Sequence, residues 1–151
     1  MSKALISFEE KFKVKELKIV ETEYWIWSLR PHQSTLGAGI LSLKRECDAF
    51  GKLITQEFCD LNIIIKIIES TLEKIFNYDI MNYLMLMMVD KHVHYHVIPR
   101  YRDRDTVEIF GIEWSDMNYP RLPDLNGDEL DKKKLVEISL YIKNNLSSLE
   151  K

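Results

Sequence analysis

Three of the chain's four histidines, His92, His94 and His96, alternate with Val93 and Tyr95 and run into Val97, Ile98, Pro99 and Arg100. In an extended strand, side chains two residues apart share a face and stand about 6 to 7 Å from each other, so the three imidazoles would line one surface. Imidazole moves protons, attacks phosphorus and holds metals near neutral pH. A solvated strand face would explain one such histidine, but grouped titratable side chains point to function.

Two chemistries compete for the cluster. A metal site would use the His-x-His pair with His96 as third ligand, but three successive same-face positions lie almost in a line and converge poorly on a tetrahedral ion. No metal is assigned on these grounds. The other is covalent catalysis at phosphorus. A neutral imidazole attacks while its second nitrogen donates to a fixed acceptor, and neighbouring imidazolium groups steady the charge on phosphate and leaving group. His94, in the middle, is best flanked for attack.

The elements that must position these side chains follow from apolar spacing. Residues from about Leu17 to Leu29 and from Gly39 to Leu43 read as two strands, with Pro31, Ser34 and Gly37 marking the loop between them. Phe58, Leu61, Ile65, Ile68, Leu72 and Ile75 recur at helical spacing, predicting a helix from Thr55 to about Phe76 with Thr55 as N-cap and Asn77 as its stop. Met81 to Val89 and His92 to Tyr101 read as central strands of a tight antiparallel hairpin turning at Asp90 and Lys91. The first, almost continuously apolar, is expected to be buried on both faces; the second presents histidines on one face and Val93 and Val97 on the other. Beyond Arg102, Pro120, Pro123, Asn126 and Gly127 interrupt regular structure, and Asp128 is placed to cap a final helix through about Leu146.

Composition bounds the function classes. The chain has 151 residues, 24 acidic against 21 basic, and no long Lys/Arg tract, which argues against a nucleic-acid groove while leaving room for a small anionic ligand. Cys47 and Cys59 form no CxxC and read as reduced thiols, and no apolar run is long enough to span a bilayer. The expectation is one soluble, cytoplasmic domain over residues 1–151, without nucleic-acid or membrane partners.

The run from His92 to Ile98, with Pro99 and Arg100 after it, resembles the His-φ-His-φ-His-φ-φ motif of the histidine triad (HIT) superfamily, φ being apolar. The upstream order is similar too: two strands with a Pro-containing connection, Lys44 and Arg45 at a strand end, a long helix, then the strand carrying the histidines. The resemblance covers a triad core of about residues 17–101, with 102–151 as a C-terminal extension. It implies an α+β HIT-like fold: a central antiparallel sheet, a long packed helix and a C-terminal helical extension, usually as a homodimer. The implied activity is hydrolysis of a nucleoside phosphoanhydride or phosphoramidate, such as a dinucleoside polyphosphate, through a nucleotidyl-histidine intermediate.

Carried over by residue, the resemblance makes His94 the nucleophile, His96 a phosphate contact or proton donor to the leaving group, and His92 the residue that orients the nucleophile, partly through its backbone. No cofactor is required, although Mg²⁺ could accompany a polyphosphate. The third histidine sets the chain apart from the transferase and phosphorylase branches, whose motif ends in Gln, and favours hydrolysis over transfer. Many relatives hold the phosphate with Gly-x-x-x-Gly-Gln-Ser/Thr before the triad, where this chain has apolar Leu84 to Val89. Many also have Gly-His where it reads Gly37-Ala38, its fourth histidine being His32.

Ser28 stands near a ribose-contacting position and reads equally as a strand-end turn cap; Asn82 reads as a nucleotide contact or as a cap of the strand start. Trp25 and Trp27 read as core or as base pocket. Lys44 and Arg45 read as solvated bases or as a draw for phosphate, and Met85, Met87 and Met88 as core filler. Two functions of other classes remain open: a nucleotide-binding regulator with little turnover, and a metal-binding protein using the histidines.

Overall fold

The computed structural model describes residues 2–102 and 106–148, so residue 1 and residues 103–105 and 149–151 of the expected extents lie outside it. Five strands, β1 (Lys18–Glu21), β2 (Trp25–Leu29), β3 (Gly39–Leu43), β4 (Ile80–Leu84) and β5 (His94–Arg100), form one antiparallel sheet ordered β1-β2-β3-β5-β4. Alternation along the strands divides their side chains between two faces. Trp25, Trp27, Leu29, Leu41, Leu43 and Val97 pack with Leu61, Ile64, Ile68 and Leu72 of α2 (Thr55–Phe76) and with Leu135, Ile138 and Ile142 of α3 (Lys132–Lys143). Each such side chain taken from water contributes about 1.5–3 kcal/mol. The C-terminal helix therefore shares the main core.

The opposite face carries the histidines. There Ile26 and Ile40 pack with Phe8, Phe12 and Val14, contributed by or just after α1 (Lys3–Lys11). Ser2 caps α1 by accepting the Leu5 N–H, and Phe8 and Phe12, four residues apart, fall on one side of the chain as it leaves the helix.

Several boundaries differ from expectation for identifiable reasons. The stretch from Leu17 to Leu29 is two strands, because Asp60 of α2 holds the turn between them, accepting from the Thr22 hydroxyl at 2.7 Å and the Tyr24 N–H at 2.8 Å. No Gly, Pro or Asn marks that turn. The tight hairpin at Asp90 and Lys91 is absent: β4 stops at Leu84, β5 starts at His94, and residues 85–93 form a loop in which Met87 takes φ 51°. Val93 instead pairs with the segment after β3, accepting from the Leu43 N–H and donating to the Cys47 carbonyl. β4 is an edge strand, mostly half-buried, so its continuous apolarity does not mean burial on two faces. In the loop, Met85 and Met87 pack toward the core while Leu86, Met88 and Val89 are exposed.

α2 spans Thr55–Phe76, and Asn77 ends it in the left-handed conformation. Thr55 is its first helical residue and not its cap; the Glu57 carboxylate satisfies the start by accepting the Ile54 N–H at 2.9 Å. α3 is capped by Asp131, three residues later than the expected Asp128. Within the stretch read as broken, β6 (Val107–Ile109) and β7 (Ile112–Trp114) form a hairpin whose central residues, Phe110 and Gly111, both have positive φ. Among the described residues, no helix is long and apolar enough to cross a membrane.

Candidate active site

β5 is flanked by β3 and β4, and its register sets His94 opposite Ser42 and His96 between Ile40 and Leu84. His92 precedes the strand in the 85–93 loop. The three rings are buried, and α1 is the reason: the Phe8 ring lies 5.0 Å from that of His92 and 4.9 Å from that of His94, and Phe12 stands 5.9 and 6.0 Å from His94 and His96. The His94 and His96 rings meet edge to face at 5.0 Å.

Each imidazole has at least one nitrogen committed to a defined partner. His94 Nδ1 lies 2.5 Å from the His92 carbonyl oxygen, so it carries the proton and Nε2 keeps its lone pair. His92 donates from Nε2 to the Leu43 carbonyl at 2.7 Å and accepts the Cys47 N–H on Nδ1. His96 Nδ1 accepts from Arg30 Nε at 3.0 Å. Burial pushes His92 and His94 below the ordinary histidine range, and burial reinforced by the Arg30 charge takes His96 down to about 3. The expected imidazolium neighbours are therefore neutral imidazoles near pH 7, and positive charge comes from Arg30 and Lys11 instead.

His94 and His96 line a cavity of about 250 Å³ together with Lys11, Arg30, Asp90 and Asn126. Leu86, Met87, Met88, Val89 and Leu125 supply its apolar wall. A second cavity of about 600 Å³ borders His92 and Cys47. Lys11 and Asp90, ion-paired at 2.7 Å, line both and tie α1 to the 85–93 loop.

Other residues singled out from the sequence lie elsewhere. Ser28 sits inside β2 opposite Ile40, caps no turn, and has a buried hydroxyl without a partner among the described residues; it does not line the cavity. Asn82 lies within β4, and its amide oxygen accepts from Arg100 Nη1 at 2.9 Å. Arg100 is in turn bound by the Asp116 carboxylate. Trp25 and Trp27 belong to the helix-covered core, away from the histidines. Lys44 pairs with Glu21, and Arg45 makes a two-point pair with Glu57, so these bases serve the fold. His32 is held by the Asp128 carbonyl, with Gly127 packed over its ring.

Nothing in the local sequence marks Arg30, Lys11, Phe8, Phe12 or Asn126 strongly as residues of this cavity and its cover. Arg30 carried a weak signal, a base ending an apolar strand directly before Pro31; the others reach the site only through tertiary packing. Among the described residues no group of three His, Cys, Asp or Glu side chains is arranged to hold a metal ion.

Neither a family model nor a curated protein matches this sequence significantly. Solved structures do. A histidine triad protein from Sinorhizobium meliloti superposes with TM-score 0.68 at 16% identity, covering 89% of this chain and 93% of that one. A HIT-like protein from Bartonella henselae gives 0.65 at 15% identity, covering 86% of each chain. The Plasmodium falciparum diadenosine triphosphate hydrolase gives 0.64 at 16% identity, covering 86% of this chain and 76% of its own. The mixed α+β architecture, the antiparallel sheet and these superpositions agree with the resemblance carried by residues 92–100: the chain has the histidine triad (HIT) fold.

Proposed function

We propose that this protein is a histidine triad nucleotide hydrolase that cleaves a nucleoside phosphoanhydride or phosphoramidate, such as a dinucleoside polyphosphate, with His94 as nucleophile. The observation that carries the reading is the short contact from His94 Nδ1 to the His92 carbonyl, which leaves Nε2 as the ring's nucleophilic atom in a residue that lines the cavity. In this reading the His92 backbone orients the nucleophile, His96 contacts the phosphate, and Lys11 attracts the anionic substrate. The similarity to a diadenosine triphosphate hydrolase supports the substrate class. This chemistry requires no metal, and Mg²⁺ can accompany a polyphosphate substrate. Two copies pair as a homodimer, a state that sedimentation measures directly.

The test is turnover of diadenosine polyphosphates by the wild type and by His94→Ala, with mass analysis of the quenched wild-type enzyme. Hydrolysis lost in the variant, and a nucleoside monophosphate on His94 in the wild type, would support the reading. The cover that Phe8 and Phe12 place on the rings favours one second reading, a nucleotide-binding regulator with little turnover. It would show nucleotide binding with neither product nor adduct.

A further inference from the structure

Arg30, buried just beyond β2, spreads its guanidinium over four acceptors. Nε donates to His96 Nδ1 at 3.0 Å, Nη1 to the His32 carbonyl at 3.1 Å and the Ser34 hydroxyl at 3.5 Å, and Nη2 to the Leu125 carbonyl at 2.8 Å. A guanidinium stays charged and only donates, so His96 Nδ1 has to accept, and the single proton of the neutral ring sits on Nε2. The charged and titratable groups around His96 are Arg30, Lys11 from α1, His94 on its own strand and Asp90 in the 85–93 loop; only Asp90 favours a second proton. Phe12, just after α1, and Ile40 and Leu84 on the neighbouring strands adjoin it without charge.

We infer that Arg30 is a positioning residue that fixes His96 as a neutral hydrogen-bond donor and denies it the role of general acid, so that the site cleaves nucleotidyl bonds whose leaving group departs as an anion. The inference rests on the hydrolase reading and narrows its substrate class. A neutral Nε2–H steadies a phosphate oxygen but could release its proton only by becoming an imidazolate. In an anhydride this proton is not needed. As His94 Nε2 bonds to phosphorus, the bridging P–O bond breaks and its electron pair leaves on a phosphate oxygen, a stable anion near neutral pH. Water then attacks phosphorus, the P–N bond breaks with its pair returning to Nε2, and the water protons pass to phosphate oxygens and solvent. In a phosphoramidate the departing amine must gain a proton, and His96 cannot supply it.

The test compares a diadenosine polyphosphate with an adenosine 5′-phosphoramidate of a simple alkylamine, using the full-length wild type at pH 7 to 8. Because general acid catalysis is worth about 10²–10⁴-fold, kcat/KM for the anhydride should exceed that for the amidate by at least ~100-fold. Nitrogen-15 NMR should show His96 as the Nε2–H tautomer down to pH 5, and Arg30→Met should let it titrate and add an acidic limb to the pH profile. Comparable rates on the two substrates, or a wild-type His96 protonated on Nδ1, would overturn the inference. If neither substrate is cleaved and His94 carries no adduct, the hydrolase reading fails and the leaving-group preference with it. The NMR signature of the wild type still decides the Arg30–His96 arrangement, even if Arg30→Met does not fold.

Discussion

The Nε of Arg30 and the Nδ1 of His96 lie 3.0 Å apart although 66 positions separate the residues in sequence. This bond joins the end of β2 to the histidine-bearing face of β5. Through Nη2 and the Leu125 carbonyl, the same guanidinium also ties in the C-terminal segment that closes the cavity. Charge, tautomer and cavity wall are thus set by one side chain.

Folding stability should fall in acid through the histidines. All three have folded-state values depressed by burial, and unfolded histidine titrates near 6.5, so above that pH neither state binds the proton and the native advantage is complete. Below it the unfolded chain takes up protons that the folded chain refuses, and for His96 this continues until its folded value of about 3. For His96 the slope should approach ~1.4 kcal/mol per pH unit between those two values, with His92 and His94 adding in the same direction. Urea melts between pH 8 and 4 measure it, and substituting His96 should flatten the curve.

Phe8→Ala should destabilise the protein by about 3–5 kcal/mol, since it empties a buried site against Phe12, His92 and His94. The same change lets water reach the rings, so His94 should titrate closer to 6.5. Denaturant unfolding and NMR titration of the one variant check both expectations.

Lys11→Met removes a partly exposed ion pair and should change stability by less than ~1 kcal/mol. Because Lys11 brings positive charge to the cavity, KM for a polyphosphate should rise about tenfold with kcat little altered, the pattern of lost uniform binding. Steady-state kinetics at low ionic strength would show it.

At Gly127 an added Cβ would stand 2.4 Å from His32 Cε1, so Gly127→Ala must displace the His32 ring or its own segment. The expected cost is about 1–3 kcal/mol, as for other overpacked sites, together with weaker substrate binding because the adjacent Leu125 and Asn126 line the cavity. Thermal melts and KM together test the link.

Local signals made the helix from Thr55 to Phe76, the alternation along β5 and the stop at Asn77 legible, because each is written in the periodicity or backbone tolerance of neighbouring residues. What escaped depends on distant partners. The turn at Thr22 to Tyr24 exists because Asp60 holds it, and the loop at residues 85–93 exists because Val93 pairs with the chain after β3. Continuous apolarity from Tyr83 to Val89 could not distinguish an edge strand and loop from a buried strand. The three histidines marked a candidate site by their spacing, but their protonation is set by Phe8, Phe12 and Arg30, whose positions relative to residue 92 carry no pattern.

The central claim is a transient bond between His94 Nε2 and phosphorus, and the most direct measurement is mass spectrometry of enzyme quenched at alkaline pH during turnover of a diadenosine polyphosphate. One adenylyl group per active chain is expected, located on His94 and released by acid, and absent from His94→Ala, which should retain its fold and lose at least ~10³-fold in rate. Turnover without any adduct, or turnover undiminished in that variant, would contradict it.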